Sequence, residues 1–216
     1  MKIGIFGTGG VGRTLGSRFI EVGHEVRLGS RTADNEAATV WANQAGEAAS
    51  HGTFAEAAAF GELLVNATSG AASVGAIGSA AASDLDGKVM LDVANPLDFS
   101  NGFPPTLSIK DTDSLAESIQ RAFPGLRVVK SLNTMNADVM VRPSQLESGH
   151  NVFVSGDDAG AKAAVASLLG EIGSPSDDII DLGDLSTARG AEMFLPLWLR
   201  LMTAQGNAAF NIKVVR

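Results

Sequence analysis

Lys2-Ile3-Gly4-Ile5-Phe6-Gly7-Thr8-Gly9-Gly10-Val11-Gly12 opens the chain with a short apolar run, a glycine-rich turn and the start of an amphipathic stretch. The spacing Gly7-x-Gly9-x-x-Gly12 is the one by which a buried strand passes through a tight turn into a helix. Gly7 makes the turn, Gly9 lets the backbone approach a ligand, and Gly12 permits close packing of helix on strand. Backbone N–H groups from Thr8 to Gly12 then face outward at the positive end of the helix dipole, where an anion is stabilised. The stretch reads as a pyrophosphate-binding turn, and it predicts a Rossmann-type fold.

Apolar runs of strand length alternate with helical stretches downstream, the pattern of βαβ units around a parallel sheet. Strands are expected at 2–6, 25–28, 63–67, 89–93, 127–131, 152–155 and 179–182. Near-continuous apolar runs such as Leu63-Leu64-Val65 indicate burial on both faces of the sheet. Helices are expected at 11–22, 35–45, 71–82, 114–122 and 159–172, with two more between 185 and 205 divided at Pro196. The segment 97–113 holds Asn101-Gly102 and Pro104-Pro105, which favour turns. It reads equally as a closing flap or a surface excursion. The fold class is thus α/β, a doubly wound, mostly parallel sheet with short C-terminal helices. One NADP-binding domain is expected over 1–216, with 183–216 as a terminal helical extension.

The cofactor choice is read at the end of the second strand. An NAD-specific protein places an Asp or Glu there, ~20 residues after the glycine turn, to hold the ribose hydroxyls. This chain has Leu28-Gly29-Ser30-Arg31-Thr32 instead. Arg31 is suited to a 2′-phosphate, and the hydroxyls of Ser30 and Thr32 are suited to its oxygens, so the expected cofactor is NADP(H). Ligands of an open parallel sheet gather at the carboxyl ends of the strands. Ala67 and Thr68 should therefore border the adenosine and ribose, Asn95 and Pro96 the nicotinamide ribose, and Asn133 and Met135 the nicotinamide face. Lys130 falls within a strand and reads as a paired, partly buried structural residue.

Composition narrows the chemistry. With no Cys there is no disulfide, thiol nucleophile or thiolate metal site. With no Tyr the chain lacks the Tyr-x-x-x-Lys pair of short-chain dehydrogenases. His24, His51 and His150 lack metal-ligand spacing, so no metal and no catalytic side chain are assigned. A formal net charge of -8 argues against nucleic acid. The apolar stretch 193–199 is short of the ~20 residues of a membrane helix, and no secretory leader is apparent, so a cytoplasmic chain without a membrane partner is expected. Leu195, Trp198 and Leu201 suggest a homodimer contact.

Several segments together carry a family resemblance. They are Gly7 to Gly12, Gly29-Ser30-Arg31, Leu91-Asp92-Val93-Ala94-Asn95-Pro96, Val129-Lys130-Ser131-Leu132-Asn133-Thr134, Val154-Ser155-Gly156-Asp157-Asp158, Asp181-Leu182-Gly183-Asp184-Leu185 and Ala188-Arg189. The chain resembles the NADP oxidoreductases that use the deazaflavin coenzyme F-420, a group related to the reductase domains of membrane ferric reductases. The resemblance implies hydride transfer between NADPH and a flat partner, either coenzyme F-420 or a flavin. Such chemistry needs positioning and water exclusion rather than an acid or base on the protein. A ferric chelate is a further acceptor, and two other readings stay open: a non-catalytic NADP(H)-binding redox sensor, and a small-substrate dehydrogenase whose site is completed by a dimer partner.

Overall fold

The computed structural model describes residues 1–215. Ten strands and nine helices alternate along them. In chain order these are β1 (Lys2–Phe6), α1 (Gly10–Glu21), β2 (Glu25–Ser30), α2 (Glu36–Ala45), β3 (Ala49–Thr53), α3 (Phe54–Phe60), β4 (Leu63–Asn66), α4 (Gly70–Ile77) and β5 (Val89–Asp92). A two-stranded hairpin follows, β6 (Leu97–Asp98) with β7 (Thr106–Leu107). The remainder is α5 (Leu115–Ala122), β8 (Arg127–Ser131), α6 (Ala137–Val141), β9 (Val152–Gly156), α7 (Ala159–Glu171), β10 (Ile179–Gly183), α8 (Ala188–Met193) and α9 (Leu195–Gln205).

Eight strands form one sheet in the order β10-β9-β8-β5-β4-β1-β2-β3. Every pairing is parallel except β8 with β9. The chain leaves β1 in one direction to β2 and β3, then returns to the other side of β1 at β4. That reversal is the switch point at which a doubly wound sheet opens a crevice. The two faces carry separate cores. One packs α1, α6 and α7 through Leu15, Phe19, Val139 and Leu168, the other packs α4 and α5 through Ile77 and Ile119, so both faces are dry, as the continuous apolar strands require.

Most expected elements are present with ends displaced by a residue or two, the structure adds others, and the last two helices divide at Phe194 rather than at Pro196, which lies in the first turn of α9 where its missing N–H costs nothing. The run Ala49-Ser50-His51-Gly52-Thr53 has no apolar signal, because β3 is an edge strand that, among the described residues, ladders only to β2. Helix α3 begins at a capping box in which Thr53 and Glu56 exchange hydrogen bonds, a Thr-x-x-Glu signature present in the sequence. The helix expected over 71–82 stops at Ile77, with Gly78 at its cap and a separate 3-10 turn at Ala82–Asp84. The turn-rich 97–113 segment contains the β6–β7 hairpin. Lys130 is fully buried rather than partly so. Of the residues expected at a dimer contact, Leu195 is buried inside the chain and Trp198 stacks on Phe210 at 5.3 Å, while Met193 and Leu197 are the exposed apolar residues of these helices. Among the described residues no helix is long and apolar enough to cross a membrane.

Candidate functional site

A cleft of about 1210 Å³ opens along the carboxyl ends of β1, β2, β3 and β4. Its floor is the turn Gly7-Thr8-Gly9, one wall is Gly29 to Thr32 with Asn35, and Thr53 to Ala55 close its far end. The opposite wall is Ala67 to Ser69 and the face of α4 that carries Ala72, Gly75, Ala76 and Ser79.

The glycines of the turn separate into two kinds. Gly7 has φ +120° and donates its N–H to the Gly29 carbonyl at 3.0 Å, and a Cβ there would sit 2.5 Å from the Ala67 carbonyl oxygen. A Cβ on Gly12 would overlap the Gly7 carbonyl. The fold itself demands glycine at both positions. Gly9 differs: its backbone is extended, with φ −72° and ψ −178°, and a Cβ there would meet no protein atom within 4 Å. Gly10 likewise has open space beside it. Val11 and Gly12 follow in the first turn of α1, where N–H groups have no intrahelical acceptor. Gly75 repeats the observation on the opposite wall, since it lies inside α4 with nothing within 4 Å of its Cβ position.

Around the tip of β2, Ser30 is buried and its hydroxyl donates to the Thr32 carbonyl. That hydroxyl proton is therefore engaged within its own loop. Thr32 and Arg31 are exposed on the cleft wall. Among the described residues Arg31 forms no ion pair, although carboxylates outnumber cations in the chain. His51 on β3 holds the same loop through its Nδ1, 3.0 Å from the Ala33 carbonyl.

The Thr68 hydroxyl starts a polar chain that leaves the cleft for the core. It donates to Asn66 Oδ1 at 2.7 Å, and Asn66 Nδ2 donates to Asp92 Oδ1 at 2.8 Å. Asp92 pairs with the Lys130 ammonium at 2.9 Å, which also pairs with Glu192 of α8 at 2.8 Å. The Glu192 carboxylate further accepts the backbone N–H groups of Leu115 and Ala116. Burial works to lower the Lys130 ammonium, but the two carboxylates outweigh it and hold it above its ordinary value. Burial pushes the Glu192 carboxyl up, an effect that Lys130 only partly offsets and that Asp92 reinforces.

Above this ionic cluster the ends of β5 and β8 are tied together. Asn95 Nδ2 donates to the Asn133 carbonyl and Asn133 Nδ2 donates to Asn95 Oδ1, each at 2.9 Å. Asn133 Nδ2 also donates to the Ala191 carbonyl of α8 at 3.0 Å. Leu132, buried yet at φ +61°, turns the chain so that Asn133 reaches across. Glycine at position 70 lets α4 start against this junction, because a Cβ there would overlap the Asn95 carbonyl.

Of the residues singled out in the sequence, Gly7, Thr8, Gly9, Ser30, Arg31, Thr32, Ala67 and Thr68 line the one cleft. Gly10, Val11 and Gly12 continue its floor into α1. Asn95, Pro96, Asn133 and Met135 do not line it; they group at the β5 and β8 ends, where Pro96 and Asn133 are buried and Met135 is part of the core. The α4 face and Thr53 to Ala55 were not foreseen. The signals that could have found them were the Thr53–Glu56 capping pair and a glycine, Gly75, inside a helical run.

A second cavity, of about 400 Å³, lies between the β6–β7 hairpin and the α8–α9 pair. Pro105, Leu107 and Leu199 form buried apolar lining, and Lys110, Asp111 and Arg200 stand on its rim. Among the described residues no group of three His, Asp or Glu side chains is arranged to hold a metal.

The family described as NADP oxidoreductase, coenzyme F420-dependent, matches residues 2–96, the part that builds the cleft and reaches the β5 end. A crystal structure of a candidate F420-dependent NADP-reductase from Arthrobacter sp. FB24 superposes over the whole of both chains with a TM-score of 0.94 and 51% identity. The metalloreductase STEAP3 of Rattus norvegicus is 26% identical over 201 residues, which are 91% of this chain and 38% of that protein. A reductive aminase from Aspergillus terreus in complex with NADPH shares the fold, with a TM-score of 0.67 at 23% identity over 94% of this chain and 62% of that one. The chain thus belongs to the coenzyme F420-dependent NADP oxidoreductase family and is an NADP-dependent oxidoreductase.

Proposed function

We propose that the protein transfers a hydride between NADPH, held along the β1–β4 cleft, and a flavin or deazaflavin such as coenzyme F-420, at the β5–β8 end. The observation that carries this reading is the pair of glycines at 9 and 10 that the fold does not need. Gly9 is extended and Gly10 opens α1, and with empty space beside both neither conformation needs glycine, whereas a molecule brought within contact of the main chain would. The residues present fit NADPH: the Gly7–Gly12 turn would take the pyrophosphate on α1 N–H groups, and Arg31 and the Thr32 hydroxyl would take the 2′-phosphate. Thr68 and the small residues of α4 would border the adenosine. When bound, NADPH supplies the hydride from its nicotinamide ring.

The rest of the work is positional. Asn95 and Asn133 lock the two strand ends at a fixed separation and join them to α8, so the nicotinamide end meets a rigid wall. Both Asn133 amide protons are engaged in that lock, so its role is to shape this wall. The reading also places the protein in the cytoplasm as a single NADP-binding domain with a terminal helical extension. Exposed Leu197, Met193 and Phe103 support a homodimer contact.

The test is NADPH consumption by the purified chain with coenzyme F-420, FMN, riboflavin and a ferric chelate in separate reactions. Turnover with a flavin or deazaflavin supports the reading. Tight NADPH binding without any turnover replaces it with a redox sensor.

A further inference from the structure

His51 stands on the edge strand β3 without the packing reason that fixes side chains on the inner strands. Its register partner on β2, Leu28, is fully buried, whereas His51 is only partly so. Among the described residues its ring makes one hydrogen bond, from Nδ1 to the Ala33 carbonyl at 3.0 Å, across 18 residues of chain. A carbonyl oxygen only accepts, so Nδ1 carries the proton.

That bond acts on the loop leading from β2 into α2. The Ser30 hydroxyl holds the Thr32 carbonyl and His51 holds the next one, so two successive loop carbonyls are drawn onto protein donors. In a planar trans peptide the N–H that follows a carbonyl points the opposite way. The N–H groups of Ala33 and Asp34 are thereby turned away from Ser30 and His51, and neither meets a backbone acceptor among the described residues. Arg31, Thr32 and Asn35 of this loop line the cleft, while His51 stands behind it and Asp34, the loop's carboxylate, lies off the lining. Successive unpaired N–H groups beside a guanidinium form a donor set suited to a phosphate. We propose that His51 is a positioning residue for coenzyme choice: by holding Ala33 it keeps Arg31 and the loop N–H groups presented to the cleft, and so favours NADPH over NADH. The inference rests on the assignment of the 2′-phosphate to Arg31 made above and deepens it.

The experiment measures equilibrium binding of NADPH and of NADH to the whole chain and to His51→Leu, His51→Asn and Ser50→Ala, at a pH where the 2′-phosphate is fully ionised. His51→Leu should weaken NADPH roughly threefold to tenfold, the range of one lost hydrogen bond, and leave NADH nearly unchanged. His51→Asn should restore most of the preference, because the asparagine amide nitrogen, like Nδ1, is bonded to Cγ and donates without carrying charge. Ser50→Ala, one position earlier on the same strand, should leave the ratio of the two affinities in place. Equal loss of both coenzymes in His51→Leu reduces His51 to a part of the β3 edge and overturns the inference, and so does a His51→Asn variant no better than His51→Leu. In both cases a preference for NADPH in the unmodified protein leaves the Arg31 assignment standing. An unmodified protein that binds NADPH and NADH equally overturns both.

Discussion

The two ends of the ligand edge are built from opposite materials. At the β1–β4 end the surface is backbone and glycine: Gly7, Gly9, Gly10 and Gly75, with Arg31, which forms no ion pair among the described residues, on its wall. At the β5–β8 end it is side chain on side chain, with Asn95 on Asn133 above a sealed Asp92–Lys130–Glu192 cluster. The first arrangement leaves N–H groups and space available to a ligand. The second satisfies its own polar groups and leaves a hard wall. On the proposed reading, a nucleotide would be held where the protein is incomplete without it, and a reacting ring would be oriented where the protein is already complete.

Lys130→Met should break the second end most severely. It strands two buried carboxylates, a change that costs about 3 to 5 kcal/mol when one partner of a buried pair is removed. Urea unfolding should show a loss of that order, and an unaltered midpoint would mean the cluster is hydrated. Gly12→Ala and Gly9→Ala then divide the first end. The former should lower the melting temperature because its new methyl meets the Gly7 carbonyl. The latter should leave melting nearly unchanged and weaken NADPH and NADH alike by tenfold or more, since a methyl costs contact with the pyrophosphate at about 1.4 kcal/mol per tenfold. Equal melting losses in both would remove the distinction between the two glycines.

Arg31→Ala sharpens the same end by cofactor. NADPH affinity should fall on the order of tenfold with NADH little affected, as expected of a charged hydrogen bond to a 2′-phosphate. A uniform loss would show that Arg31 does not discriminate. The smallest effect belongs to Glu117, whose hydrogen bonds from Arg189 hold its carboxyl below the ordinary value against the opposing effect of burial. A lowered carboxyl stabilises the fold above its unfolded value and loses that contribution as pH falls through the folded one. Glu117→Gln should therefore flatten the acid limb of the pH–stability curve by less than ~1 kcal/mol, discounted for the exposure of Arg189. The screened part should vanish in high salt.

The same contrast explains what could be read from the sequence. Gly7 to Gly12 act through local backbone and Ser30 to Thr32 sit at one strand tip, so short local spacings carried the cleft, and strands buried on both faces announced themselves by apolar runs. Strand β3 carried no such run, because an edge strand with His51, Gly52 and Thr53 buries little. Lys130 was legible as a paired residue, but its partners stand 38 and 62 positions away, and nothing local names Glu192. Asn133 looked like a ligand residue because it follows a strand. Its amide donates to Asn95 and to Ala191, the latter a contact across 58 residues that exists only once the terminal helices are docked.

Strands β9 and β10 run against the other six, and this decides where the chain's last helices arrive. A helix that follows a strand travels back the opposite way, so helices after the six codirectional strands retreat from the ligand edge. After β10 the same rule sends α8 toward it. Inverting two strands has turned a retreating helix into an advancing one, which is how Ala191 and Glu192 come to stand beside residues from the middle of the sheet.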